Sequence, residues 1–234
     1  GAPPSLAMPT RGCPFLCAYS YNSQLVAAYG SRKIRYRDLE RVILEEVKPA
    51  LARFPFFKSV GFSDDDFFHI KTEKLERFAA LWKREIGLPF ACATSPASCT
   101  PAKLELLVDA GLRVVQMGVQ TGSETLNREV NNRLSSNRRI LDALGILNRF
   151  AENGTIKVNC DFILDHPYET DADILAWIEL YRRFPPKICT SLFSLAFYPG
   201  TALYDRALKD VIIDGSHAVY SRAFNIGVAT THRY

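Results

Sequence analysis

The stretch Thr10-Arg11-Gly12-Cys13-Pro14-Phe15-Leu16-Cys17-Ala18-Tyr19-Ser20-Tyr21-Asn22 sets two thiols and a hydroxyl on one short loop, in the pattern C-x3-C-x2-S. Soft thiolates converging from a short loop are what an iron–sulfur cluster requires, and such proteins usually supply four. Taken alone, the loop is open to plainer readings. Cys13 and Cys17 could form half of a zinc site, a strained disulfide, or a pair of buried thiols without metal. The surrounding chain has to choose among them.

Outward from the loop, short β-rich runs alternate with amphipathic helical stretches, the pattern of βα units around a parallel sheet. Residues 5–10 read as a first strand running straight into the cysteine loop. Arg37-Asp38-Leu39-Glu40 opens a helix to about residue 54, with Leu39, Val42, Ile43, Val47 and Leu51 on one face. A second strand covers 57–63, followed by Asp64-Asp65-Asp66 and a helix over 72–86, for which Thr72 reads as cap and Glu73 as first-turn acid. The third strand is 89–94; Thr100 and Pro101 then start a helix that Gly111 ends. A fourth strand at 113–119, a loop around 128–136 and a helix over 137–152 lead to a fifth strand at 156–164. A helix at 171–184, a sixth strand at 188–197 and a helix at 201–208 complete six βα units, too few for a closed eight-stranded barrel.

The composition is that of one soluble globular domain: 234 residues, 47% hydrophobic and 23% charged. No apolar run approaches the ~20 residues that span a bilayer, and the N-terminus lacks a basic-then-apolar leader, so a cytoplasmic location is expected. Four of the six cysteines are scattered, which suits reduced thiols better than a disulfide framework. A net charge of +4 allows an anionic substrate without arguing for one, and nucleic acid is not indicated. The chain begins at Gly1 and stops soon after the sixth unit, and so reads as a fragment or excised domain.

Set in this pattern, the loop resembles the cluster loop of the radical S-adenosylmethionine (radical SAM) enzymes, C-x3-C-x-aromatic-C, with Ser20 in the place of the third cysteine. The resemblance implies an α/β fold of the partial (β/α)6 TIM-like barrel type over residues 1–210, with 211–234 a tail or the start of a further module. It implies a 4Fe-4S cluster on Cys13, Cys17 and, in third place, Ser20, the remaining iron being chelated by the amino and carboxylate groups of SAM. Tyr19 then lies against the adenine. A serine offers a harder oxygen of much higher pKa than a thiol. Weak ligation as an alkoxide and a labile or three-iron cluster are both open.

Ligands of such barrels sit at the C-terminal ends of the strands. After strand two, Gly61-Phe62-Ser63-Asp64-Asp65-Asp66 resembles the family segment that holds the SAM amino group, implicating Ser63, Asp64 and Asp65; a solvated acidic turn explains it as well. After strand four, Gly118-Val119-Gln120-Thr121-Gly122-Ser123-Glu124 resembles the G-V-Q-S-G-S-E stretch of the branch that often carries a cobalamin domain and of related methylthiotransferases. Gln120, Ser123 and Glu124 would face the SAM ribose and carboxylate, with the flanking glycines allowing close backbone approach. Asn131-Asn132-Arg133 and Asn137-Arg138-Arg139 offer either a carboxylate-binding arginine or a solvated helix face. After strand five, Asp161-Phe162-Ile163-Leu164-Asp165-His166-Pro167-Tyr168-Glu169-Thr170 resembles the D-x-I-x-G-x-P-x-E-T segment beside the adenine, with Asp161 and Asp165 as candidates. Asp165 replaces a glycine, so a positive φ or a crowded pocket is at issue. His166 reads as an acid–base group or, more plainly, as a structural loop histidine. Tyr198-Pro199-Gly200-Thr201 matches the Y-P-G-T turn of the same branch, a pocket floor. Cys92, Cys99, Cys160 and Cys189 read as ordinary thiols.

Two functions follow. One is an enzyme that reductively cleaves SAM to methionine and a 5′-deoxyadenosyl radical for methyl transfer, methylthio transfer or rearrangement on a substrate the sequence does not reveal, served by an electron donor such as flavodoxin or ferredoxin. The other is a cluster-deficient relative that keeps the barrel as a SAM- or partner-binding module without turnover. A zinc-binding barrel is a third option, disfavoured because no further Cys or His lies near Cys13 and Cys17. No D-x-H-x-x-G segment is present, so cobalamin enters only through a missing domain.

Overall fold

A computed structural model of the chain describes residues 5–214 and 228–230. β1 (Ser5–Ala7) ends earlier than the expected 5–10, because Pro9 has no N–H for a ladder and the chain turns aside there. It enters a small antiparallel ribbon instead: β2 (Thr10–Arg11) pairs with β3 (Arg35–Tyr36), and α1 (Asn22–Tyr29) lies between them. The Pro9 carbonyl accepts from the Arg37 N–H at 2.8 Å, which closes the ribbon.

The expected helix over 37–54 forms in three parts: α2 (Leu39–Arg41), a π-helical turn at Val42–Val47, and α3 (Lys48–Arg53). Asp38 caps it by accepting from the Glu40 and Arg41 amides. Pro49 cannot donate to the carbonyl four residues back, and the wide turn takes up that missing bond. Val42, Ile43 and Val47 are buried, as their spacing requires.

The remaining units are β4 (Val60–Phe62) with α4 (Thr72–Glu85), β5 (Phe90–Thr94) with α5 (Pro101–Ala110), and β6 (Leu112–Gln120) with α6 (Glu124–Glu129) and α7 (Asn137–Ala151). They continue with β7 (Lys157–Leu164) and α8 (Asp171–Tyr181), β8 (Ile188–Ser194) and α9 (Ala202–Lys209), and then β9 (Val228–Thr230). Lys71, not Thr72, holds the cap position of α4, and no side chain bonds there. At α8 the sequence supplies a full capping box, Thr170 with Asp173.

The sheet runs β1-β4-β5-β6-β7-β8-β9; all pairs are parallel except the last. Six parallel strands in chain order, each leading to helix, make a partial (β/α)6 barrel, open between β1 and β9 among the described residues. Along β6, Val115, Met117 and Val119 are fully buried while Gln116 is exposed, so the two faces differ in kind. Behind the early strands an aromatic cluster fills the core: Phe62 stacks on Phe67 at 5.0 Å and meets Trp82 edge-on at 5.3 Å. No helix among the described residues is long and apolar enough to cross a membrane.

Candidate functional site

The loop between β2 and α1 carries Cys13 and Cys17 to the strand ends. Gly12 turns the chain with φ of 105°, a value that favours glycine. Cys17 is buried and Cys13 half-buried, and all six cysteines of the chain are free thiols. Burial pushes the Cys13 thiol up to about 12, with the carboxylate of Asp65 and the neighbouring Cys17 adding to the effect against a bond from the Phe15 backbone. The Ser20 N–H donates to the Cys17 carbonyl at 3.0 Å. The Ser20 Oγ accepts from the Asn22 N–H at 3.3 Å, and its carbonyl accepts from the Ser23 hydroxyl at 2.8 Å, so Ser20 is bonded to the first residues of α1. Asn22 Nδ2 in turn donates to Asp65 Oδ1 at 2.9 Å, tying the loop to the end of β4.

The segment after α6 grips this loop from the other side. The Asn131 carbonyl accepts from the Ala18 N–H at 2.8 Å, and Asn132 Nδ2 donates to the Leu16 carbonyl at 2.8 Å. Arg133 donates from Nη1 toward Cys17 Sγ at 3.6 Å and from Nη2 to the Gly118 carbonyl at 2.6 Å. Its guanidinium lies 5.6 Å from the Phe15 ring. At 9% exposure Arg133 is not on a solvated helix face, which corrects that reading. The hydroxyl of Tyr19 is sealed beside Cys17 and Arg133 with no hydrogen-bond partner, and burial raises its pKa. Sequence reasoning passed over this cradle. The Asn-Asn pair was the available signal, since Asn132 adopts the left-handed φ of 50° that asparagine tolerates.

At the end of β4 the three aspartates separate. Asp64 is buried and accepts from both the backbone N–H and the hydroxyl of Thr10, joining β4 to β2; its Oδ2 has no partner. Asp66 is buried and accepts from the Ser95 and Ser98 hydroxyls, each at 2.7 Å. Burial raises the pKa of both carboxyls. Ser63 and Asp65 are exposed beside them, so the solvated-turn reading fails for Asp64 and Asp66 and holds for these two in part.

Gln120 ends β6 at an irregularity in the ladder with β7, in a left-handed conformation at φ of 76°. A Cβ on Gly118 would lie 2.6 Å from Gln120 Nε2, and one on Gly122 would lie 2.6 Å from the Ala176 carbonyl and from Trp177 Cα. Both glycines therefore make room for the protein's own atoms. Ser123 caps α6, accepting from the Leu126 N–H at 3.1 Å, and its hydroxyl donates to Asp173 of α8. Glu124 accepts from the Asn137 N–H at 2.6 Å at the start of α7. Both side chains thus also serve helix starts.

Asp161 lies within β7, accepting from Gln116 Nε2 at 2.6 Å and Asn159 Nδ2 at 3.0 Å. Asp165 keeps a positive φ, 57°, as a glycine would, and its carboxylate accepts from the Ser194 hydroxyl at 2.5 Å. Asp165 therefore takes the positive φ itself, and its side chain bridges the end of β7 to the end of β8. His166 is buried; its Nδ1 accepts from the Tyr168 N–H at 3.3 Å, and Nε2 faces Asn131 Oδ1 at 3.2 Å. That pairing fixes a neutral imidazole, protonated on Nε2, as part of the cradle, which is the structural alternative. Tyr198 to Thr201 form the expected turn, the Thr201 hydroxyl donating to the Tyr198 carbonyl at 2.8 Å. Cys92, Cys99 and Cys160 are buried with raised pKa values, as ordinary core thiols are.

No group of three or more His, Cys, Asp or Glu side chains that could hold a metal ion occurs among the described residues. The donor set at the loop is two thiols and one hydroxyl. It fits an iron–sulfur cluster short of one thiolate, and the buried guanidinium at Cys17 fits an anionic group there.

Over residues 8–181 the sequence matches the family described as the Radical SAM superfamily. An uncharacterized methyltransferase of Pyrococcus horikoshii is 23% identical over 215 residues, covering 91% of this chain and 44% of its own length. TsrM from Kitasatospora setae, a radical S-adenosylmethionine methyltransferase solved with cobalamin and a 4Fe-4S cluster, has a TM-score of 0.68 at 15% identity, over 88% of this chain and 37% of that one. Coproporphyrinogen III oxidase (HemN) from Escherichia coli, a radical SAM enzyme, scores 0.63 at 19% identity, over 89% and 48%. The chain thus spans less than half the length of these relatives, and at such identities the structural likeness is one of fold.

Proposed function

Because the chain belongs to the radical SAM superfamily, we propose that its strand ends bind a 4Fe-4S cluster and S-adenosylmethionine. Bound together, these groups supply reductive cleavage of SAM to methionine and a 5′-deoxyadenosyl radical. The observation that carries the reading is the presentation of the two thiols. Cys13 and Cys17 are free, and the residues beside Cys17 are held on both sides by Asn131 and Asn132 from a different βα unit.

In this reading Cys13 and Cys17 hold the cluster as thiolates and Ser20 occupies the third place. Tyr19 lies against the adenine. Ser63, Asp64 and Asp65 stand at the amino end of SAM, with Gln120, Ser123, Glu124, Asp161 and Asp165 around the ribose, carboxylate and adenine. Residues 1–210 would form the core, with 211–234 a tail or the start of a further module. The names of the relatives support methyl transfer as the reaction class. Cobalamin, which the Kitasatospora neighbour binds, would be held outside this core. A flavodoxin or ferredoxin would deliver the electron in a cytoplasmic setting.

A second reading is favoured by one observation. Ser20 Oγ accepts from the Asn22 N–H at the head of α1, a role a hydroxyl fills without any metal. In that case the barrel binds SAM or a partner and does not turn over. Iron and sulfide content with electron paramagnetic resonance of the reduced protein, measured after anaerobic reconstitution beside Ser20→Cys, separates the two. About four irons in the parent, with a spectrum that changes on adding SAM, is the expected result. Three or none in the parent against four in Ser20→Cys establishes the second reading, and no iron in either removes the cluster.

A further inference from the structure

The outer face of α8 is unlike those of the other long helices of the barrel. α4 and α7 bury an apolar stripe and turn charge to solvent, Glu76, Arg77 and Lys83 on one and Arg138, Arg139 and Asp142 on the other. α8 is apolar on both sides. Its inner side is taken up by the barrel: Leu180 is buried, Trp177 meets Phe162 edge-on at 5.6 Å and stacks on Tyr181, and the backbone at Ala176 and Trp177 closes on Gly122. On the outer side Leu175 is 65% exposed, Ile174 45% and Ile178 40%. Single aliphatic side chains on a surface are ordinary, but three adjacent ones on a helix make a contiguous patch of the kind that associates.

The two ends of the patch carry opposite charges. Asp171, in the first turn, is exposed and makes no ion pair among the described residues. Arg182, just past the last turn, is exposed and reaches Glu179 at 3.9 Å, a loose pair between two solvated side chains. Asp171, Leu175, Ile178 and Arg182 stand at i, i+4, i+7 and i+11, which is one line along a helix. Read from either end, the line is its own complement. When two copies lie antiparallel, Asp171 of each faces Arg182 of the other and Leu175 faces Ile178, with Ile174 widening the apolar centre. Packed parallel, the same line would set Asp171 on Asp171 and Arg182 on Arg182.

We propose that this line is the contact through which two copies of the chain associate, α8 packing antiparallel on α8 about a two-fold axis. A two-fold contact uses the same patch on both subunits, so it requires the self-complementarity that the line possesses. Three turns of helix bury little beside the roughly 800 Å² per partner of a standard interface, so the dimer is weak and depends on concentration. The inference is independent of the cluster reading, because none of these side chains lies on the cysteine loop.

Sedimentation velocity of the full chain over a concentration series tests it, with circular dichroism as the control for folding. The parent is expected to pass from monomer to dimer as its concentration rises. Leu175→Glu, which sets a charge in the apolar centre of the contact, is expected to raise the dissociation constant at least tenfold. Asp171→Arg and Arg182→Asp, each placing like charges across the axis, are both expected to weaken the dimer, and combining the two in one chain is expected to restore it. If Asp171→Arg loses helix, as a cation in a first turn invites, Arg182→Asp and Leu175→Glu carry the test on their own. A parent that stays monomeric at every concentration overturns the proposal and leaves the face to a different protein. A dimer that Leu175→Glu does not weaken overturns it as well, by placing the contact elsewhere. Two single swaps that weaken the dimer and a folded double swap that fails to recover it overturn the antiparallel pairing, and the proposal with it.

Discussion

At the residue scale, three side chains without glycine's freedom adopt left-handed backbone forms around the site: Gln120, Asn132 and Asp165. Such conformations cost about 1–2 kcal/mol each and persist where the surroundings over-determine them. Asp165 is held by Ser194, and Asn132 by its bond to Leu16. His166 shows the same economy in a titratable group. Burial, then the nearby positive charge of Arg206, lowers its pKa from the ordinary 6.5 to about 4. The unfolded chain therefore binds a proton in the window between these values that the folded chain does not. Stability attributable to His166 is full above about pH 6.5 and declines as pH falls toward 4, by up to about 1.4 kcal/mol per unit. Urea unfolding of the parent and His166→Gln at pH 7 and pH 4.5 checks this. The acid-induced drop should be smaller in the variant, and an identical drop in both would remove His166 as its source.

At the scale of elements, the end of β6 is fitted to α8 by the absence of a side chain at Gly122. Its Cβ position lies against the backbone at Ala176 and Trp177, which cannot swing away as a side-chain tip can. Gly122→Ala is expected to lower stability by about 3 kcal/mol, the upper end of overpacking costs, as measured by chemical denaturation. A loss under about 0.5 kcal/mol would mean that strand and helix separate freely. The wide turn before Pro49, the Asp38 cap and the Thr170–Asp173 capping box are local devices, and each is legible from neighbours in sequence. The early end of β1 follows from Pro9 in the same way. The cradle at Asn131–Arg133 is not local. It meets a loop 116 residues away, and no periodicity records that distance.

At the scale of the molecule, the cysteine loop is not part of the main core. Ala18 packs with Leu195 and Leu203 in a separate small cluster, and the Leu203 N–H donates to the Ala18 carbonyl at 2.9 Å. Among the described residues, the first and last βα units thus meet across the opening of the barrel through side chains and one backbone bond, without a strand ladder. Leu203→Ala should cost about 2–4 kcal/mol in this cluster. Amide hydrogen exchange should then quicken at Ala18 while Val115 and Val158, in the central strands, keep their protection. Uniform loosening of all three would show one undivided cooperative core. The sequence by itself determined the order of six βα units, the cysteine loop and the family, because strand alternation, caps and ligand spacing are written in residues close along the chain. For Asp165 it left a positive φ and a crowded pocket both open, and the folded chain takes the positive φ. Only the tertiary structure decided that Ser123 and Glu124 serve helix starts, that His166 is a neutral brace, and that Arg133 is buried against Cys17. Those outcomes depend on which surfaces exclude water once the units close on one another, and burial of that kind belongs to the assembled barrel alone.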